Sequence, residues 1–245
     1  MSASKKLIEI STSVDRAACA AEFKTTGRLQ MRNVLTPKSA AAVQNILQHQ
    51  TPWGLAWQSG ADGPNFIRHE QLAKLGRAET AAIERKLVAA VQGRDYAFAY
   101  FSYPLVEAYL NRWQPGSPQE QLLEEINSAS FLGLIRDVTG VAETVKADGQ
   151  ATLYAPGHFL SHHDDSEPER GRRIAYVLSM AHDAWRPEWG GYLNFYDQDW
   201  DVEQAFRPRF NALNLFTVPQ VHSVTQVAAA APIGRYAVTG WARDR

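Results

Sequence analysis

Over roughly the first 147 positions apolar residues recur every three to four places; beyond them they alternate or crowd into short runs. Ser39 to Gln50 shows the helical spacing behind Thr36-Pro37, which reads as an N-cap followed by proline at the first helical position. Glu70 to Gln92, rich in Ala, Leu, Glu and Arg and carrying Leu72, Leu75, Ile83, Leu87, Val88 and Val91, predicts one long helix. Leu105 to Trp113 and Glu120 to Thr139 predict two more, separated by the breaker Gln114-Pro115-Gly116-Ser117-Pro118. Asp148-Gly149 marks a turn. Strands are predicted after it at 150–162, 172–181, 191–196, 212–218, 220–227 and 234–243, with Pro, Gly, Asp and Asn between them. Short strands in succession, with no helix between, argue against βαβ units and for an antiparallel sandwich or barrel, one sheet of which the preceding helices cover. The class is α+β. No repeat or low-complexity linker divides the chain, so 1–245 is read as a single domain, with 1–147 mainly helical support and 148–245 the strand-rich core.

A chain of 245 residues with 45% hydrophobic and 21% charged positions is ordinary for a globular protein and needs neither disulfide nor structural metal to fold. A formal net charge of -1 gives no general attraction to nucleic acid or membrane surfaces. The one cysteine, Cys19, rules out an internal disulfide, and Met1 to Ser11 lacks the apolar stretch of a secretory signal. Together these point to a reducing cytoplasm. No run approaches the ~18 apolar residues of a membrane-spanning helix. Walker A, G-x-S-x-G and C-x-x-C motifs are absent, so the chemistries they serve have no basis here.

The chemistry concentrates between Tyr154 and Asp165, a stretch that ends His162-His163-Asp164-Asp165. On a strand, residues i and i+2 point the same way, so a His-x-Asp pair brings an imidazole and a carboxylate to one metal. Either His162 with Asp164 or His163 with Asp165 satisfies the spacing, and a one-residue slip turns every side chain to the opposite face. Alone, such a pair is common in loops. Here a later histidine, His222, sits in the strand-like Pro219 to Val224, and Arg235 follows on the last predicted strand. Two imidazoles and one carboxylate on one face of an octahedron, with open positions beyond, form the ligand set of non-haem Fe(II) oxygenases. An arginine within an apolar strand is costly unless its charge meets an anion, and a carboxylate gripped by the guanidinium fork is the natural partner. Gly234 beside it would permit a close backbone approach.

Read jointly, Tyr154, His163-Asp164-Asp165, Gly171 to Tyr176, Trp189-Gly190-Gly191-Tyr192-Leu193, His222 and Arg235 to Trp241 resemble the 2-oxoglutarate/Fe(II)-dependent dioxygenases of the prolyl 4-hydroxylase type. The branch they are similar to is that of the ribosomal-protein prolyl hydroxylases and their bacterial relatives. The resemblance is strong over 150–245 and looser before it, where Leu29 to Leu35 is similar to the strand that opens many such domains. It implies a double-stranded β-helix (jelly-roll) core with N-terminal helices packed on the major sheet. It also implies the register, with His163, Asp165 and His222 as metal ligands and catalytic centre. Arg235 and Tyr154 then hold the far carboxylate of 2-oxoglutarate. The implied cofactors are Fe(II), 2-oxoglutarate and O2, with ascorbate as a candidate reductant. The implied partner is a protein or peptide substrate, by resemblance a ribosomal or translation protein, with no membrane and no direct nucleic-acid binding. The implied reaction is prolyl hydroxylation with release of succinate and CO2. Two alternatives stand beside it: hydroxylation of a free amino acid or other small molecule, and a metal-binding β-barrel module without turnover.

Phe159, Tyr176, Leu193, Phe195, Leu215 and Trp241 are candidates for a dry wall around the site, although plain core packing is the better reading of each singly. His49, His69, His158 and His182 lack paired spacing and are read as hydrogen-bonding or surface residues. Arg170, Arg172 and Arg173 are read as a solvated turn beside Glu167 and Glu169. Trp185 and Trp189 either cradle a substrate ring or anchor their own loop.

Overall fold

In the computed structural model, which describes residues 6–245, a long antiparallel sheet folds over on itself and is backed by helices. Residues 1–5 of the amino-terminal segment read above lie outside the described residues. The helices are α1 (Arg16–Thr26), α2 (Pro37–His49), α3 (His69–Leu72), α4 (Arg77–Gly93), α5 (Leu105–Leu110), α6 (Pro118–Ile126) and α7 (Ala129–Thr139). The strands are β1 (Arg28–Arg32), β2 (Gly54–Ser59), β3 (Asp62–Ile67), β4 (Ala97–Tyr103), β5 (Lys146–Ala147), β6 (Gln150–Tyr154) and β7 (Phe159–His163), then β8 (Arg172–Ser179), β9 (Leu193–Tyr196), β10 (Val202–Phe206), β11 (Ala212–Thr217), β12 (His222–Val224) and β13 (Arg235–Arg243).

Hydrogen-bonded neighbours run β1-β11-β8-β13-β6-β4-β7-β12-β9-β10, with β2 and β3 attached at β4 and β5 at β13. Strand β4 is the seam: Phe101 to Tyr103 pair with β6, whereas Phe98 and Ala99 pair with β7. The strands from β1 to β6 in that order form one sheet and those from β7 to β10 the other, the two sheets of a double-stranded β-helix.

Strand β8 reads Ile174-Ala175-Tyr176-Val177-Leu178, apolar at every position, because both of its faces are covered. Ile174, Tyr176 and Leu178 belong to a core shared with Leu47, Leu122 and Phe131 of the helices. Ala175 and Val177 belong to a second core between the sheets, with Leu193, Phe195, Phe206 and Val224. Each fully buried large apolar side chain stabilises by about 1.5–3 kcal/mol, more than a surface ion pair, so these layers set the sheet geometry. A smaller cluster seats Leu87 and Ala90 of α4 on Trp57, Ala97 and Ala99. No helix among the described residues is long and apolar enough to cross a membrane.

The structure corrects several predicted boundaries. The helix expected over Glu70–Gln92 is two helices, because Gly76 adopts an extended conformation (ψ 158) and its N–H is capped by Glu79 Oε2 at 2.8 Å. The one expected over Glu120–Thr139 breaks at Asn127, whose amide bonds Leu123 O and Ala147 O while Ser128 caps the next helix. Leu105–Trp113 ends early, where Arg112 takes a left-handed φ of 50. The strand expected over 150–162 is interrupted by Pro156 and Gly157, the latter at φ 90. Strand β10 escapes the sequence pattern because it is mostly exposed and polar. The N-terminal half also adds β1 to β5 to its helices; β4 has no polar alternation to announce it, being buried at six of seven positions.

Candidate active site

Strand pairing brings the candidate residues together. His222 on β12 stands opposite His163 on β7, and Arg235 on β13 opposite Tyr154 on β6. Alternation along β7 places His162 on the outer surface, its ring 4.6 Å from that of Trp200, and turns His163 inward. Asp165 does not follow from alternation. It lies beyond the end of β7 with φ 62, a left-handed conformation, so a turn and not a strand directs its carboxylate. Asp164 instead accepts the Ser166 N–H at 2.9 Å.

The resulting cluster is tight. Asp165 Oδ1 lies 3.2 Å from His163 Nε2, and Asp165 Oδ2 lies 3.6 Å from His222 Nε2. One ligand atom from each of the three residues falls within 4.8 Å of the others, a group able to hold a metal ion. Each imidazole donates its Nδ1–H to a backbone carbonyl, His163 to Ser161 O at 3.0 Å and His222 to Gln220 O at 2.8 Å. That fixes the tautomer and leaves the Nε2 lone pairs facing Asp165, the orientation metal ligation needs. Burial, helped by the neighbouring His163, pushes His222 down to about 4, so the ring is neutral at neutral pH and able to act as a ligand. Burial works to raise the Asp165 carboxyl. The neighbouring His163 and His222 rings and the Trp241 indole N–H outweigh it and hold the group below the usual carboxylate range. Trp241 Nε1 donates to Asp165 Oδ2 at 2.9 Å, and the Arg172 guanidinium covers the indole 3.6 Å from the ring centroid.

The cluster opens into a cavity of ≈ 530 Å³ whose lining includes Tyr154, Arg235, Leu193, Thr239 and Trp241. Arg235 is 3% exposed, and its Nε has no hydrogen-bond partner. Among the described residues no carboxylate pairs with it; its guanidinium sits 5.3 Å from the Tyr154 ring centroid. Burial works against its charge, partly opposed by Tyr154. A buried guanidinium lining a cavity without an anion calls for one from outside, so the residues present fit a carboxylate ligand beside a metal. Gly234 lies close against β6: a Cβ would lie 2.4 Å from Leu153 Cδ1 and 3.0 Å from Tyr154 O, so a side chain here would displace the Leu153 tip.

Of the expected wall, Tyr176, Leu193 and Trp241 line this cavity. Leu215 and Phe195 are core residues, the latter 6.2 Å from the His222 ring by centroids, and Phe159 faces a separate apolar cavity beneath α4. His69, His158 and His182 make hydrogen bonds to backbone atoms. Trp185, 1% exposed, donates to Gly190 O and anchors its loop. Arg170 and Arg173 are surface ion-pair residues, but the Arg172 side chain, 7% exposed and 3.0 Å from Glu167, belongs to the site and not to a solvated turn. Sequence reasoning gave no role to Tyr100, Tyr96 or Gln150, which also line the cavity. The available signal was alternation within Phe98-Ala99-Tyr100-Phe101, which puts Phe98 and Tyr100 on the cavity side.

Residues 149–243 match the model of the 2OG-Fe(II) oxygenase superfamily. The segment carrying the cluster is thus similar to the domains of that superfamily, a class that uses Fe(II), 2-oxoglutarate and O2, and the fold is of prolyl hydroxylase-like architecture. Among solved structures, a prolyl-4-hydroxylase from Pseudomonas putida is 18% identical with a TM-score of 0.55, over 94% of this chain and 99% of that one. A 2OG-Fe(II) oxygenase-family oxidoreductase from Burkholderia pseudomallei is 13% identical, with a TM-score of 0.59 over 99% and 97%. A prolyl hydroxylase from Trichoplax adhaerens, solved with a hypoxia inducible factor oxygen degradation domain peptide fragment, is 16% identical, with a TM-score of 0.52 over 94% and 89%. No curated protein matches the sequence.

Proposed function

We propose that the enzyme hydroxylates prolyl residues of a protein or peptide. His163, Asp165 and His222 hold Fe(II), Arg235 and Tyr154 hold 2-oxoglutarate, and ascorbate serves as reductant. The observation that carries this reading is the meeting of three ligand atoms within 4.8 Å beside a cavity-lining arginine without an anion. With metal, cosubstrate and O2 bound, 2-oxoglutarate is converted to succinate and CO2 and one oxygen atom enters a substrate C–H bond. The chain's own residues bind and orient. The carbonyls of Ser161 and Gln220 hold both imidazoles in the ligating tautomer. Trp241 occupies one lone pair of Asp165 Oδ2 and steadies its carboxylate. Phe216 and Leu193 keep water from the cavity wall.

Two of the structures named above are prolyl hydroxylases, one of them solved with a peptide, which supports a peptidyl substrate over a free amino acid. By resemblance the substrate is a ribosomal or translation protein, reached in the cytoplasm, and residues 1–245 act as one dioxygenase unit. The test is incubation of the iron-loaded enzyme with 2-oxoglutarate, ascorbate and host proteins. Mass spectrometry is expected to find one added oxygen on specific prolines. Succinate release that responds only to small molecules would overturn the prolyl reading.

The indole bond gives a second expectation. Trp241→Phe keeps a ring under Arg172 but removes the donor to Asp165. Mn(II) affinity measured by calorimetry is expected to fall roughly 10- to 100-fold, the usual effect of losing a hydrogen bond that orients a metal ligand. Unchanged affinity would show that the bond does not tune the site.

A further inference from the structure

Strand register aligns a third residue with Arg235 and Tyr154. Arg235 pairs with Tyr154 across β13 and β6, and Phe101 pairs with Leu153 across β4 and β6. One antiparallel step puts Tyr100 opposite Tyr154, so Arg235, Tyr154 and Tyr100 form a single row across three adjacent strands. The side chains keep that order. The guanidinium lies against one side of the Tyr154 ring, and the Tyr100 ring stacks on Tyr154 with centroids 5.0 Å apart. All three line the site cavity.

Tyr100 is buried, at 9% exposure, and its hydroxyl accepts from Gln150 Nε2 at 3.3 Å, while Gln150 Oε1 in turn accepts from the Ser102 hydroxyl at 2.8 Å. The proton of the Tyr100 hydroxyl has no acceptor among the described residues, nor does that of Tyr154. Both hydroxyls face the same cavity as an arginine whose Nε is unpartnered, so each is free to donate to an anion that enters it. We infer that Tyr100 is a third donor to the far carboxylate of 2-oxoglutarate, beside Arg235 and Tyr154. The inference rests on the reading of the site given above and adds a residue from the N-terminal half, outside the 149–243 segment. Three convergent donors saturate one carboxylate and select a dicarboxylate over a keto acid that ends in a methyl group.

Tyr100→Phe removes the hydroxyl and keeps the stacked ring. Binding of 2-oxoglutarate and of pyruvate, which has the keto acid but no far carboxylate, is measured calorimetrically on the Mn(II)-loaded protein. Tyr100→Phe is expected to weaken 2-oxoglutarate roughly 10- to 100-fold, the effect of one hydrogen bond to a charged group, and to leave pyruvate and Mn(II) affinities unchanged. In turnover the loss falls on KM for 2-oxoglutarate, with kcat retained. Equal weakening of both ligands would assign the residue a packing role, and no weakening would remove it from the site; either overturns the inference while Arg235 keeps its role. Wild-type protein that fails to prefer 2-oxoglutarate over pyruvate would overturn the carboxylate-binding reading and this inference with it.

Discussion

Asp165→Ala is expected to abolish 2-oxoglutarate-dependent succinate release and Mn(II) binding, while Asp164→Ala, one residue away, retains both. The contrast follows from the backbone. The left-handed φ of Asp165 aims its carboxylate between the Nε2 atoms of His163 and His222. Asp164 is spent on a local turn, accepting the Ser166 N–H. Removing Asp165 leaves only the two imidazoles of the cluster and takes away its carboxylate, so a hard divalent cation loses most of its binding. His162→Ala belongs in the same series, because its ring packs on Trp200 away from the cluster. Full activity in Asp165→Ala, or its loss in Asp164→Ala with Asp165→Ala active, would show that a different pair binds the metal.

Arg235→Ala is expected to raise KM for 2-oxoglutarate about 10²- to 10³-fold, from the roughly 3–5 kcal/mol lost when one partner of a buried charge pair is removed. Metal affinity is expected to stay as in the wild type, because Arg235 is not one of the three residues of the metal cluster. The same physics predicts a change in stability. In the ligand-free protein the guanidinium is desolvated and its Nε is unpartnered. Arg235→Met keeps the volume and removes the charge, and is expected to raise the Tm of ligand-free protein while losing cosubstrate binding. An unchanged KM in Arg235→Ala would remove it from the carboxylate site.

Much of this architecture is legible in residue order. The Thr36-Pro37 start of α2, the breaker Gln114 to Pro118 before α6 and the shift to short apolar runs after residue 147 give the α+β class directly. The double-stranded β-helix comes from motif resemblance, because antiparallel runs alone fit sandwiches and barrels equally. For the site, strand alternation puts His162 and His163 on opposite faces without saying which meets the metal; the resemblance implies His163, and nothing local announces that Asp165 is positioned by a turn. Arg235 is conspicuous because a charge in an apolar strand needs an anion. Tyr100 is not, because its place in the row depends on which strands pair, and β4 reaches β6 from fifty positions away along the chain. The N-terminal strands are hidden for two physical reasons. Strand β4 is buried on both faces and loses its alternation, while the β2–β3 hairpin is half exposed and carries little apolar signal.

The most direct test is a crystal structure of the protein grown with Mn(II) and 2-oxoglutarate, with the metal located by its anomalous signal. The expected density bonds the metal to His163 Nε2, His222 Nε2 and one oxygen of Asp165, with the far carboxylate of the cosubstrate on the Arg235 guanidinium. Metal bound anywhere else, or a cosubstrate whose carboxylate lies away from Arg235, would contradict the account.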